Sequence, residues 1–250
     1  MKLAELLHPP IRRGRRIVLQ QASVPLPGAG VVGIVGVNGA GKSTLLHALA
    51  GNLRGVRATI AGANSASPVA FAPQEAALPR WLALPDVARL YGHEVEDLAR
   101  RLPPLLLEEF MHQEADALSA GQRQAFVVAL ALGSESGLTL LDEPFASLDI
   151  RRRFGLLRLL RERRAAGGPG LTLVSSQSAA DLLETCDWLL VLRQGRYVYS
   201  GAMDAFTAGI AEPARARQRF EEAVLALLGA ASPPRFRADS PGSRGRAAAT

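Results

Sequence analysis

Apolar runs of strand length alternate along this chain with segments of helical period. Val31 to Val35, Leu138 to Leu141 and Leu171 to Val174 are continuous rather than alternating runs, the pattern of parallel strands buried on both faces. Ile150, Phe154, Leu157 and Leu160 recur at helical spacing with arginines on the other face, and Gly167-Gly-Pro-Gly170 predicts the end of that helix. Trp188 to Leu192, then Gln194-Gly195, then Tyr197 to Tyr199 predicts a strand, a tight turn and a second strand. The whole is an α/β pattern with a mainly parallel sheet.

Between Gln74 and Leu118 the character turns helical. Pro103-Pro104 interrupts it, and Leu105, Leu106, Leu107 and Phe110 supply apolar surface, which predicts a helical lobe inserted over about 75–125. Phe220 to Gly229 is a last amphipathic segment. Residues 231–250 are rich in Pro, Gly, Ser and Arg and too poor in apolar residues to fold alone, so the expectation is one domain over 1–230 and a disordered tail. No internal repeat is present.

Composition narrows the class. In 250 residues, 48% are hydrophobic, ample for one large core, and no apolar run reaches the roughly 18 residues of a membrane span. The start, MKLAELLHPPIRRGRR, reverses the charge order of a signal peptide, so a soluble, cytoplasmic chain is expected. The single cysteine, Cys186, lies in an apolar context and reads as a buried structural thiol. The net charge of +6 is carried by arginine, with Lys2 and Lys42 the only lysines, which makes Lys42 conspicuous.

Gly36-Val-Asn-Gly-Ala-Gly-Lys-Ser43 matches G-x-x-x-x-G-K-[ST], follows an apolar strand and precedes the helix-like segment Thr44 to Ala50. Glycines there let backbone N–H groups face phosphate oxygens, and the helix N-terminus adds partial positive charge. Lys42 would reach the β and γ phosphates, and Ser43 would place its hydroxyl on Mg²⁺. By itself the loop fits ATPases, GTPases and small-molecule kinases alike. Leu138-Thr-Leu-Leu-Asp-Glu-Pro144 then sets two carboxylates at the end of a buried strand. Asp142 there can hold Mg²⁺ through water, and Glu143 can polarise an attacking water.

Leu118-Ser-Ala-Gly-Gln-Arg-Gln124 resembles the signature of ATP-binding cassette (ABC) ATPases, Ser147-Leu148-Asp149 their dimer-contact loop, and Ala72-Pro73-Gln74 their glutamine loop. The order of motifs is similar to that family from about Ile17 to Gly201, and the signature argues against GTPases and small-molecule kinases. The resemblance implies a P-loop NTPase core with a small antiparallel β lobe and an inserted helical lobe. It implies nucleotide contacts from Gly36, Asn38, Gly39, Ala40, Gly41, Lys42, Ser43 and Thr44. It also implies Mg²⁺ on Ser43, Gln74 and Asp142, and catalysis by Glu143 with Gln74. Two cassettes, as homo- or heterodimer, would pack head to tail so that Ser119, Gly121 and Gln122 of one cover ATP on the other. Ala120 replaces the usual second glycine, which matters only if that position needs positive φ.

Three departures stand out against the family. Its loop histidine, counted back from Asp187, falls on Ser176, which keeps a donor but loses reach; Gln177 substitutes only if the loop turns differently. Losing one well-aimed donor costs roughly 10² to 10³ in rate, so a slow ATPase is expected. The family's adenine-stacking aromatic is replaced by Arg13, whose guanidinium can also stack on a flat ring. The short stretch from Gly51 to Gln74 suggests a trimmed antiparallel lobe.

The resemblance implies the ATP-hydrolysing subunit of a transporter, peripheral on the inner face of the cell membrane, with the membrane-spanning subunit on another chain. The terminal FEEAVLALLG is similar to the exporter branch. Two alternatives remain, a nucleotide-gated regulatory cassette and a soluble ABC ATPase acting on nucleic acid or ribosomes. Nucleic acid is the less expected partner, since the chain carries neither a second cassette nor a long coiled-coil insertion.

Overall fold

Nineteen segments of regular structure carry the chain in a computed structural model that describes residues 3–62, 68–166, 170–208 and 216–229. The first part is extended: β1 (Leu3–His8), β2 (Ile11–Arg13), β3 (Arg16–Leu19), β4 (Ala22–Pro27) and β5 (Gly30–Val35) precede α1 (Lys42–Leu49), β6 (Thr59–Ala61) and β7 (Val69–Ala72). The middle is helical, with α2 (Leu84–Leu90), α3 (Val95–Arg101), 3₁₀ turns at Pro103–Leu105 and Leu107–Glu109, and α4 (Ala120–Gly133). Strands and helices then alternate through β8 (Leu138–Asp142), α5 (Ile150–Ala165), β9 (Leu171–Ser176), α6 (Ala179–Thr185), β10 (Trp188–Arg193) and β11 (Arg196–Ala202), before α7 (Met203–Thr207) and α8 (Ala216–Gly229).

The main sheet runs β11-β10-β5-β9-β8-β7. Its last five members are parallel, and β11 returns antiparallel to β10. The turn between them puts Gln194 at φ 49° and Gly195 at φ 76°, the two positive values a two-residue hairpin of this twist requires. A three-stranded antiparallel sheet, β4-β1-β6, and the β2–β3 hairpin lie apart from it. With β6 only three residues long, that sheet is as small as the short stretch after Gly51 suggested.

Both faces of the parallel strands are covered, which is why their sequence does not alternate. Val31 and Val35 of β5 join a core with α2, α3, α4, α5 and α6, whereas Val32 and Ile34 join one with α1 and the small sheet. Phe220 and Val224 dock α8 onto the helical side, where Arg193 also donates to Leu227 O. Cys186 is fully buried and free, and burial pushes its thiol up to about 12.

The α5 face differs from the periodicity. Ile150 and Phe154 are 70% and 64% exposed, while Arg152 is buried with Leu156, Leu157 and Leu160. Arg152 can be buried because its guanidinium is paired on all sides: it donates to Leu105 O at 3.3 Å and forms ion pairs with Glu109 and Asp149. The helix ends at Ala165 with Ala166 as cap. Gly167 to Pro169 and the tail 231–250 lie outside the described residues. Among the described residues no helix is long and apolar enough to cross a membrane.

Candidate functional site

The loop between β5 and α1 is built around two glycines. At Gly41 φ is 112°, and an added Cβ would lie 2.5 Å from Leu19 Cδ2; at Gly36 an added Cβ would lie 2.5 Å from Leu192 O. Backbone therefore comes where no side chain fits, and the loop surface is left to N–H groups. The first helical bond runs from Leu45 N–H to Gly41 O at 2.9 Å. The N–H groups of Lys42, Ser43 and Thr44 accordingly have no backbone acceptor and point out of the helix N-terminus, the arrangement that receives phosphate. Asn38 and Gly39 are exposed at the tip, Ala40, Lys42 and Thr44 are buried, and Ser43 is half-buried.

Lys42 does not extend freely. Its Nζ donates to Gly36 O at 2.8 Å and lies 3.3 Å from Glu143 Oε1. Glu143 follows the last residue of β8 at φ 47°, a left-handed conformation that costs a non-glycine residue about 1 kcal/mol or more. That turn carries its carboxylate back toward Lys42. Glu143 Oε2 accepts the Gln177 N–H at 3.1 Å, while Oε1 is buried with an ion pair but no hydrogen bond. A buried carboxylate oxygen with unused lone pairs suits a group that must take hold of a water.

Asp142 is 1% exposed, and its position is set by a residue outside the sequence motifs. The Ser175 hydroxyl donates to Asp142 Oδ1 at 2.6 Å and accepts the Glu143 N–H at 2.9 Å. Parallel pairing of Asp142 with Ser175 across β8 and β9 makes this contact. One hydroxyl thus fixes both acids. Nothing in the linear sequence signals it, because residues 142 and 175 meet only through sheet register.

Ser176 is placed differently from its sequence reading. It is the last residue of β9, paired with Val35 next to Gly36, and it is 3% exposed. Its Oγ accepts the Ser178 N–H at 3.0 Å, so it closes its own turn. Strand alternation gives Ser175 the face of the two acids and denies it to Ser176. Gln177, exposed beyond the strand end, is the residue whose backbone touches Glu143.

Gln74 is exposed two residues past β7, whose last pair, Ala72 with Leu141, lies one residue before Asp142 on β8. Arg13 is exposed at the end of β2, paired with Arg16 of β3. Ser119 is the N-cap of α4 in a reciprocal box: its Oγ accepts the Gln122 N–H, and its N–H donates to Gln122 Oε1 at 2.9 Å. The Gln122 carboxamide oxygen is thereby used within its own helix, while its Nε2 takes no part in the box. Ala120 opens α4 without positive φ, so its methyl is tolerated. Gly121 packs on the 147–149 loop, where an added Cβ would lie 2.7 Å from Ser147 O. Asp149 caps α5 by accepting the Arg152 N–H, which lowers its carboxyl below the usual range. Among the described residues no hydrogen bond or ion pair joins Ser119 or Gly121 to the 36–44 loop.

The arrangement can cradle a triphosphate, neutralise it with Lys42 and present Glu143 to a water at its end. Comparison with known proteins agrees. Residues 19–146 match the ABC transporter family model. The chain is 33% identical to the aliphatic sulfonates import ATP-binding protein SsuB of Mycobacterium avium, over 90% of this chain and 91% of that one. It is 33% identical to the zinc import ATP-binding protein ZnuC of Alkalilimnicola ehrlichii (79% and 77% covered) and 34% identical to the hemin import ATP-binding protein HmuV of Agrobacterium fabrum (76% and 82%). A solved structure described as the ATP binding subunit of an ABC transporter superposes with a TM-score of 0.68 at 27% identity, covering 88% of this chain and 99% of that one.

Proposed function

Because the chain belongs to the ABC transporter family as an ATP-binding ATPase subunit, we propose that it hydrolyses ATP slowly within a head-to-tail pair of cassettes and drives a separate membrane-spanning subunit. The observation that carries this reading is the meeting of Lys42 and Glu143 at the mouth of the phosphate loop.

ATP binds with its β and γ phosphates on the N–H groups of residues 41–44. Its γ-phosphate competes with Glu143 for Lys42, so loading the loop releases the Glu143 carboxylate toward water. Glu143 then orients that water and takes its proton as the oxygen attacks the γ-phosphorus and the bond to the β-bridging oxygen breaks, leaving ADP and phosphate. Ser43, Asp142 and Gln74 offer the hard oxygen donors that Mg²⁺ prefers. When bound, that ion neutralises charge developing on the phosphate oxygens. Ser119 and Gly121 of the second cassette cover the γ-phosphate from the opposite side. Turnover is slow because Ser176 is a short side chain buried at the strand end, where its Oγ accepts the Ser178 N–H, and it does not reach the phosphate as a longer donor would.

A groove of about 780 Å³ lies between the edge strand β7 and the helical lobe, lined by Phe71, Pro73, Leu78, Tyr91, His93 and Val127 among others. It adjoins Gln74 through Pro73. A short helix of the membrane subunit seated there would feel any shift of Gln74, and the cassette would then sit peripherally on the inner face of the membrane. The relatives named above serve import of chemically unrelated cargoes, which supports inward transport with cargo choice left to the partner. The exporter-like segment at 220–229 needs no export role, since Phe220 and Val224 make it a packing helix. The α5 arginines offer no free basic face to nucleic acid, since Arg151, Arg153, Arg161 and Arg164 are ion-paired within the chain.

The test is phosphate release by the purified chain beside Lys42→Ala and Glu143→Gln. Slow release by the parent that both substitutions remove is the expected result. Release surviving in either variant would remove the reading.

A further inference from the structure

The β2–β3 hairpin carries four arginines in five residues, Arg12-Arg13-Gly14-Arg15-Arg16, and all four are exposed. Arg13 and Arg16 stand directly opposite each other in the antiparallel pair. Like charges so placed destabilise a hairpin. No ion pair or hydrogen bond of these four side chains occurs among the described residues, although arginines elsewhere on the surface, such as Arg151 and Arg161, have found acids. The hairpin thus concentrates four cationic side chains that no acid among the described residues offsets.

Several exposed acids have no side-chain partner among the described residues, Glu75, Glu96 and Glu108 among them, and two of these acids stand next to the α4 cap. Glu114 and Asp116 are exposed, stand just before the Ser119 cap of α4, and have no side-chain partner among the described residues. We propose that the arginine hairpin is a dimer clamp, in which Arg12, Arg15 and Arg16 pair with Glu114 and Asp116 of a second copy of this chain, leaving Arg13 to the base-stacking role expected of it. The clamp rests on the head-to-tail reading above and adds to it the charged contact that selects an identical partner.

Reach and placement support it. Leu19, at the base of the hairpin, packs on Gly41 of the phosphate loop, so the hairpin rises from the flank of that loop. At about 3.3 Å per extended residue, Arg15 lies within roughly 13 Å of Leu19 along the chain. A second copy that brings Ser119 to the same phosphate carries Asp116 along, no more than roughly 10 Å from that Ser119 by the same measure. Both clusters are thus tethered within reach of the same interface. Two-fold symmetry repeats the contact at the second site, so one pair of charge sets acts twice.

The experiment uses the full chain carrying Glu143→Gln, with ATP present, and reads the dimer dissociation constant by sedimentation. Arg15→Glu with Arg16→Glu should weaken the dimer by about tenfold or more, and Glu114→Arg with Asp116→Arg by a similar factor. Combining all four should restore it, and the parent dimer should weaken as salt rises. ATP affinity of the dilute, monomeric chain should be unchanged by the Arg15 and Arg16 reversals. A dimer indifferent to both reversals overturns the clamp. Weakening by the arginine reversals alone, with loss of ATP affinity and no rescue, overturns it in favour of a direct hairpin–nucleotide contact. Loss of retention on anionic vesicles or nucleic acid with the dimer intact also overturns it. Failure of the Glu143→Gln chain itself to dimerise with ATP removes the head-to-tail reading, and is seen before any hairpin variant is made.

Discussion

Lys42 and Glu143, both almost fully buried, face each other at 3.3 Å across the gap between the phosphate loop and the end of β8. Each is held by backbone as well, Lys42 by Gly36 O and Glu143 by the Gln177 N–H. The pair joins the residue that grips phosphate to the residue that handles water.

Removing either partner has unequal consequences. Lys42→Met leaves Glu143 buried beside no cation, and breaking a buried pair in this way costs about 3–5 kcal/mol. Glu143→Gln leaves Lys42 its bond to Gly36 O and keeps an amide that can still accept from Gln177. Thermal unfolding without nucleotide should show a drop for both variants, since each leaves a buried charge without its partner. ATP binding should be lost in the first and kept in the second.

The rate-limiting loop should respond at 177 rather than 176. Ser176 is buried and bonded to Ser178, so Ser176→His forces a ring into a packed strand end and should destabilise by about 1–3 kcal/mol without raising turnover. Gln177 is exposed and already touches Glu143 through its N–H. Gln177→His should raise steady-state phosphate release by about tenfold, recovering part of what one well-aimed donor supplies. Equal rates for Gln177→His and the parent would show that this loop does not limit turnover.

The phosphate loop, the acid pair and the signature were legible because each is a linear motif flanked by the right elements, and continuous apolar runs marked β5, β8 and β9 as interior parallel strands. What was not legible depends on register. Ser175 locks Asp142 and Glu143 only because β8 and β9 pair those residues. A shift of one position along β9 exchanges the faces of Ser175 and Ser176, which a count along the chain does not resolve. Arg152 looked solvated because its partners, Leu105 O and Glu109, come from a distant segment. Gln122 fits two patterns at once, a nucleotide signature and a capping box, and its carboxamide oxygen serves the second.

Gly155 tests how the helical lobe is fastened to the core. An added Cβ there would sit 2.0 Å from Pro104 O, a backbone atom that cannot rotate away. Gly155→Ala should therefore push α5 from the 3₁₀ turn at Pro103–Leu105 and cost about 3 kcal/mol, despite alanine's better helix propensity of about 1 kcal/mol. Chemical denaturation of the two proteins measures the difference. A stabilised alanine variant would mean that the turn yields.

Stability should also fall below neutral pH through His8. This ring is buried between β1 and β11: Nδ1 lies 2.8 Å from Pro9 O, and Nε2 lies 2.6 Å from the Tyr197 hydroxyl. A carbonyl can only accept, so Nδ1 carries the proton and Nε2 accepts from Tyr197, whose phenol burial keeps protonated. Burial is the larger influence on His8 and lowers its pKa, against a smaller opposing effect of the Pro9 bond. A ring with its pKa depressed in the folded state binds fewer protons than the unfolded chain near pH 6, so stability is full above the ordinary value of about 6.5 and is lost as pH falls toward the depressed one. Protonation would set a second donor against the Tyr197 hydroxyl. His93, also depressed by burial, adds to the slope from the helical lobe. The melting temperature should thus decline between about pH 7 and pH 5, and His8→Gln should start lower but lose less over that interval. An identical slope in parent and His8→Gln would assign the loss to His93 and other groups.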